Sequence, residues 1–115
     1  NRAPQLDFIA GMADAAGTVI DLFKGNLAYV NVMANISVDC DCNGGAKPPC
    51  MQDIGILSST DPVALDQACI DLVLASNDPG RDELVERIET RYGTHILEVA
   101  AQHGYGSREY ELIEL

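Results

Sequence analysis

Asp53-Ile54-Gly55-Ile56-Leu57-Ser58-Ser59-Thr60-Asp61-Pro62-Val63-Ala64-Leu65-Asp66-Gln67-Ala68 is the stretch that decides the fold class. Ile54 to Ser58 reads as a short strand, and Gly55 within it leaves room for another backbone to come close. Ser59-Thr60-Asp61-Pro62 then starts a helix. Asp61 suits the N-cap, where a side-chain oxygen accepts from the free N–H groups of the first turn. Pro62 suits the first helical position, where its missing N–H is no loss. The helix is expected to run to about Ser76. Val63, Leu65, Ala68, Cys69, Leu72 and Val73 make it apolar over most of its circumference, as in a mostly buried central helix. Asp66, Gln67 and Asp71 are its polar exceptions. A strand leading directly into a buried helix is a building unit of an α/β layer structure.

Outward toward the N-terminus, Leu27 to Val38 reads as a second strand. Val30, Val32, Ala34, Ile36 and Val38 alternate with Tyr29, Asn31, Met33, Asn35 and Ser37. One face is aliphatic. The other is polar and runs toward a cysteine cluster, which fits a site at the strand's end and equally a half-exposed strand. Before it, about Gln5 to Lys24 reads as an amphipathic helix with Ile9, Met12, Ala13, Ala16, Ile20 and Phe23 on one stripe. Asp7, Asp14 and Asp21 lie seven apart on another face, which reads as a solvated stripe. Gly25-Asn26 ends this helix, since both residues tolerate positive φ.

Outward toward the C-terminus, Asn77-Asp78-Pro79-Gly80 is a turn. Arg81 to Tyr92 reads as an exposed, charged helix, with Glu83 and Arg87 at a favourable i,i+4 spacing. Gly93 breaks it. His95 to His103 reads as a further helix, Gly104-Tyr105-Gly106 as a turn, and Glu109 to Leu115 as a final strand. The expected architecture is α/β: a small sheet of about three strands packed with three to four helices. So thin a sheet reads as a fragment of a larger α/β domain, completed by more chain or by another subunit.

The bulk numbers bound the function. At 115 residues the chain reads as a single domain, 1–115, with one core. Hydrophobic residues make up 47% and aromatic residues 5%, so the core is built from Ile, Leu, Val and Ala. A formal charge of −11 repels nucleic acid and anionic membrane surfaces, and the seven basic residues form no patch. No apolar stretch of about 20 residues is present, so no membrane span is expected. The chain opens Asn1-Arg2-Ala3-Pro4 and passes directly into a helical pattern, as the C-terminal portion of a longer protein would. The apolar setting of Cys69 suits a reduced, buried thiol, and with it a cytoplasmic location.

Chemistry concentrates in one loop. Val38-Asp39-Cys40-Asp41-Cys42-Asn43-Gly44-Gly45-Ala46-Lys47-Pro48-Pro49-Cys50, followed by Asp53, carries three of the four cysteines. Its Gly-Gly and Pro-Pro pairs exclude a regular helix or central strand. Thiolates and carboxylates side by side repel one another unless a cation sits between them, and a metal ion is the simplest such cation. Cys40 and Cys42, one residue apart, point the same way on an extended backbone. Cys50 can return to the same point if the Gly and Pro pairs fold the loop back, with Asp39, Asp41 or Asp53 as a fourth ligand. Zinc takes four Cys, His or carboxylate ligands, and iron–sulfur clusters take Cys thiolates, commonly four. The three cysteines alone are one short for either. A disulfide between two of them, or a set of free thiols, fits the same spacing. A nucleophilic Cys40 or Cys42 served by His103 as base is less well supported, since neighbouring aspartates raise a thiol's pKa.

Tyr29-Val30-Asn31-Val32-Met33 through Asp39-Cys40-Asp41-Cys42, then Asp53 to Ser59 and Asp61-Pro62-Val63-Ala64-Leu65-Asp66-Gln67-Ala68, resembles the domain of unknown function 362 family. Gly104-Tyr105-Gly106-Ser107-Arg108-Glu109-Tyr110-Glu111-Leu112 resembles that family's C-terminus. The resemblance implies that this chain corresponds to the C-terminal part of a longer protein. Many members carry an upstream ferredoxin-type segment with 4Fe-4S cysteine spacing and are named iron–sulfur or ferredoxin-like proteins for it. No such C-x-x-C-x-x-C run occurs here, and the resemblance carries over only Cys40 and Cys42 as candidate ligands. It supplies no reaction. The leading expectation is therefore a metal- or iron–sulfur-associated domain of an electron-transfer protein, with the Cys40/Cys42/Cys50 loop as ligand site. The alternative is a structural or docking domain that packs against an N-terminal part or self-associates, with no metal in this chain. An enzyme whose Asp53 and Asp66 hold a small substrate ranks last.

Overall fold

The structure, a computed structural model, describes residues 2–115 and is α/β. Its elements are α1 (Arg2–Phe23), β1 (Tyr29–Met33), β2 (Gly55–Ser59), α2 (Pro62–Ala75), α3 (Arg81–Thr90) and α4 (His95–Gln102). The strands pair antiparallel, with Tyr29 opposite Ser59, Asn31 opposite Leu57 and Met33 opposite Gly55. α2 lies against both strands and touches α3 and α4, while α1 packs on α4.

The helix starts and stops follow from their residues. Asp61 Oδ1 accepts from the N–H groups of Val63 and Ala64 at 2.9 and 3.0 Å, with Pro62 in the first helical position. α1 ends where Lys24 and Gly25 turn to φ +51° and +81°, and the Asn26 side chain donates to the freed Phe23 carbonyl at 3.2 Å. At the end of α3 it is Tyr92, not Gly93, that takes the left-handed conformation, at φ +56°.

α2 is the central helix the sequence describes. Leu65, Cys69 and Val73 join Met33 and Met51 in one buried cluster, with Tyr29, Ile54, Leu57, Leu84 and Val85 packed around it. Each fully buried aliphatic side chain of this kind contributes about 1.5–3 kcal/mol.

Two expectations are corrected. The sheet has two strands rather than about three, because Glu109–Leu115 pairs with no strand. Alternation alone does not make a strand; here Tyr110 is held by α2, while Leu112, Ile113 and Leu115 stay exposed. Arg108 Nε donates to Gln67 Oε1 at 2.8 Å, and the Tyr110 hydroxyl donates to Asp71 Oδ2 at 2.6 Å. Second, the strand expected over 27–38 is the shorter β1, Tyr29–Met33, and it turns its polar face inward. Asn31 Nδ2 donates to Asp66 Oδ1 at 2.8 Å and to Cys69 Sγ at 3.4 Å, while Val30, Val32 and Ile56 are exposed. Tyr29 and Met33 supply the apolar contacts on the inner face, so two aliphatic positions are left outside.

Candidate functional site

The cysteine loop grows out of the end of β1. Asn35 takes φ +52°, which stops the strand, and its N–H is held by Asp53 Oδ1 at 2.9 Å. The two arms then run side by side for a short distance. Ile54 N–H donates to the Met33 carbonyl at 2.8 Å, and Cys50 N–H donates to the Ile36 carbonyl at 2.7 Å. Residues 37–49 are thus an excursion closed at its base by backbone bonds.

Within the excursion the chain makes two successive turns. Asn43 N–H bonds the Cys40 carbonyl at 3.0 Å, and Ala46 N–H bonds the Asn43 carbonyl at 2.9 Å. The Asn43 side chain accepts from Gly45 N–H at 3.0 Å, the local bond that makes Asn-Gly pairs good turn formers. Two ion pairs tie the rim to α3. Arg87 binds Asp39, and Lys47 Nζ lies 2.9 Å from Glu83 Oε1. Glu83 holds Lys47 above its ordinary pKa. Glu83 and Arg87 therefore reach out to the loop rather than bonding each other along the helix.

At the tip, Cys40, Asp41 and Cys42 come together. The Cys42 N–H donates to Cys40 Sγ at 3.4 Å, and Cys40 Sγ donates to Asp41 Oδ1 at 3.6 Å. Both cysteines are exposed thiols. A hydrogen bond with the Cys42 side chain pushes the Cys40 thiol above its ordinary 9.0, partly offset by the Cys42 backbone N–H. A thiol raised in this way is a poor nucleophile at neutral pH. His103 lies on the α4 side, paired with Asp14 of α1 at 3.0 Å and edge-on to the Tyr105 ring.

The remaining expected ligands have other partners. Asp39 binds Arg87, and Asp53 holds the Asn35 backbone. Cys50 is half-buried against the Met33–Met51 cluster. Among the described residues, no three or more His, Cys, Asp or Glu side chains are grouped to hold one ion. The donors present thus fall short of a tetrahedral zinc site or a four-thiolate cluster site built from this chain alone. Cys69, buried beside Asn31, is raised above 9.0 first by desolvation and is a core thiol.

Three features of the loop were not read from the sequence. Arg87 and Lys47 act as rim clamps, and their signal was available: Lys47 is the loop's one cation, and Arg87 follows Glu83 by one helical turn. The third is Asp78, whose Oδ2 accepts from Gln52 N–H at 2.8 Å and whose Oδ1 accepts from Gly80 N–H at 2.9 Å. These two backbone donors hold its carboxyl below the ordinary 3.8. Gly80 has no room for a Cβ, which would meet the Cys50 carbonyl oxygen at 1.7 Å. Asp78 and Gly80 together therefore fix the returning arm of the loop.

The family model described as domain of unknown function (DUF362) matches residues 2–71, and the chain belongs to that family. The match takes in α1, both strands, the whole cysteine loop and most of α2. No curated protein and no solved structure matches the chain.

Proposed function

We propose that this domain contributes a two-thiol half-site, Cys40 and Cys42, to a metal or iron–sulfur centre of a redox protein, and that the remaining ligands come from outside these residues. One observation carries the reading: two exposed sulfurs share one turn with an aspartate, on a loop whose base and rim are fastened while its tip is free. An exposed dithiol among carboxylates suits a cation, and two donors leave a metal's other positions to a second polypeptide segment. The loop's other acids and Cys50 then serve to hold the loop. The test is iron and zinc content of the protein purified anaerobically together with the segment that supplies those other ligands. Cys40→Ser with Cys42→Ser should remove the metal, while Cys50→Ser should retain it. Equal metal in the double variant, or none in the parent, would end this reading.

A second reading, a docking domain, is favoured by a separate observation. Phe8, Val19 and Leu22 of α1 and Val30, Val32 and Ile56 of the sheet are all large apolar side chains left exposed. Patches of this kind mark surfaces that meet another polypeptide. The two readings are compatible, since a half-site needs a partner close at hand.

A further inference from the structure

We infer that Cys40 and Cys42 are a redox-active dithiol that closes to a disulfide by exchange with a low-molecular-weight disulfide. The turn at the loop's tip brings them together. On a fully extended chain, residues two apart have Cα atoms about 7 Å from one another, the limit beyond which two cysteines cannot be bridged. Here Asn43 N–H closes a turn on the Cys40 carbonyl at 3.0 Å, so the chain folds over Asp41 and draws the two Cα atoms closer. The Cys42 N–H points at Cys40 Sγ at 3.4 Å, and the Cys42 side chain shares a hydrogen bond with it. Closure needs only side-chain rotation, against sulfur hydrogen bonds that are weak. The backbone on either side is already held, by the Arg87 pair with Asp39 and by the turn that Ala46 N–H closes on the Asn43 carbonyl.

Exposure and position select this pair. Cys40 and Cys42 are exposed, Cys50 is half-buried with its N–H bonded to the Ile36 carbonyl at 2.7 Å, and Cys69 is buried beside Asn31. In the exchange, the Cys42 thiolate attacks one sulfur of the small disulfide, forms a mixed disulfide and releases one thiolate. Cys40 then attacks Cys42 Sγ, passes its proton to the Asp41 carboxylate it already faces at 3.6 Å, and displaces the second thiolate. The pair loses two electrons and two protons, and the small disulfide becomes two thiols. A bridge across a single residue is exposed and restrains little chain, so it acts as a reversible redox couple and not as a staple. The oxidised pair has no thiolate left for a metal, so closure also switches off the proposed half-site. Closure itself needs no metal, and the two are measured apart.

The test equilibrates the reduced full chain, freed of metal by a chelator, with anaerobic mixtures of reduced and oxidised glutathione, followed by an acid quench and peptide mass spectrometry. The tip peptide should lose two hydrogens. The oxidised fraction should follow the ratio of oxidised glutathione to the square of reduced glutathione, and return to zero with excess thiol. Cys50 and Cys69 should remain free thiols, and Cys40→Ser should stop at one glutathione on Cys42. A pair that stays reduced at the most oxidising ratio would overturn the inference. So would a bridge to Cys50, a disulfide between two chains, a mixed disulfide that persists in the parent, or a Cys40→Ser chain that takes up no glutathione. Closure in a protein that never binds metal would uphold the inference and end the half-site alone.

Discussion

The cysteine loop and the C-terminal segment Gly104–Tyr110 are both irregular, yet they are fastened in opposite ways. The C-terminal segment is bound along its length to α2. Ser107 N–H reaches Asp61 Oδ2 at 2.9 Å, Arg108 reaches Gln67, and Tyr110 reaches Asp71. The Asp71 hydrogen bond also holds the Tyr110 hydroxyl above its ordinary 10.0. The cysteine loop is fastened only at its base and rim, and its thiol-bearing tip bonds only to itself. A segment bound throughout is structural. A segment bound everywhere except at its thiol-bearing tip leaves that tip available to a ligand.

The sharpest way to break this contrast is at the loop's base. Gly80→Ala drives a Cβ into the Cys50 carbonyl, a backbone group that cannot rotate away, and should cost about 3 kcal/mol in chemical denaturation. It should also raise alkylation of Cys50. An unchanged midpoint would show that the base is not rigid. In the C-terminal segment, a Cβ on Gly106 would come within 2.1 Å of the Asp61 carboxylate that caps α2. Gly106→Ala should cost ~2 kcal/mol and leave Cys40 and Cys42 reactivity untouched. If thiol reactivity followed, the two regions would be coupled and the contrast lost.

Smaller effects sharpen it further. Arg87→Ala removes a partly exposed ion pair and should cost less than about 1 kcal/mol. It should nonetheless speed alkylation of Cys40 and Cys42, because the rim is released. The smallest effect is on pH dependence. Asp78 has its pKa lowered in the folded chain, so its contribution is present above the ordinary 3.8 and is lost as pH falls through its folded value. Asp78→Asn should flatten the acid limb of the stability profile. A profile identical to the parent's would remove Asp78 from the account.

Much of the fold was legible because local chemistry agreed with tertiary need. Asp61-Pro62, the apolar run of α2 and the Asn77–Gly80 turn each carry their own signal and are found where expected. The inward face of β1 was not legible, because alternation shows that two faces differ without showing which is buried. Asn31 could be placed only once Asp66 and Cys69 were seen to receive it. Glu109–Leu115 has the pattern of a strand, but it pairs with neither strand and only Tyr110 is bonded to α2. At the candidate site, the closeness of Cys40, Asp41 and Cys42 followed from their adjacency. The separate roles of Asp39, Cys50 and Asp53 depended on long-range partners, which spacing along a chain does not reveal.

Residue-resolved thiol labelling by mass spectrometry, on the anaerobic protein with and without bound metal, tests the half-site most directly. Cys40 and Cys42 should label together in the metal-free protein and become protected together when metal is bound, while Cys50 and Cys69 keep one slow rate in both states. Protection of Cys50 in step with the pair, or labelling of Cys40 and Cys42 that ignores the metal, would contradict the account.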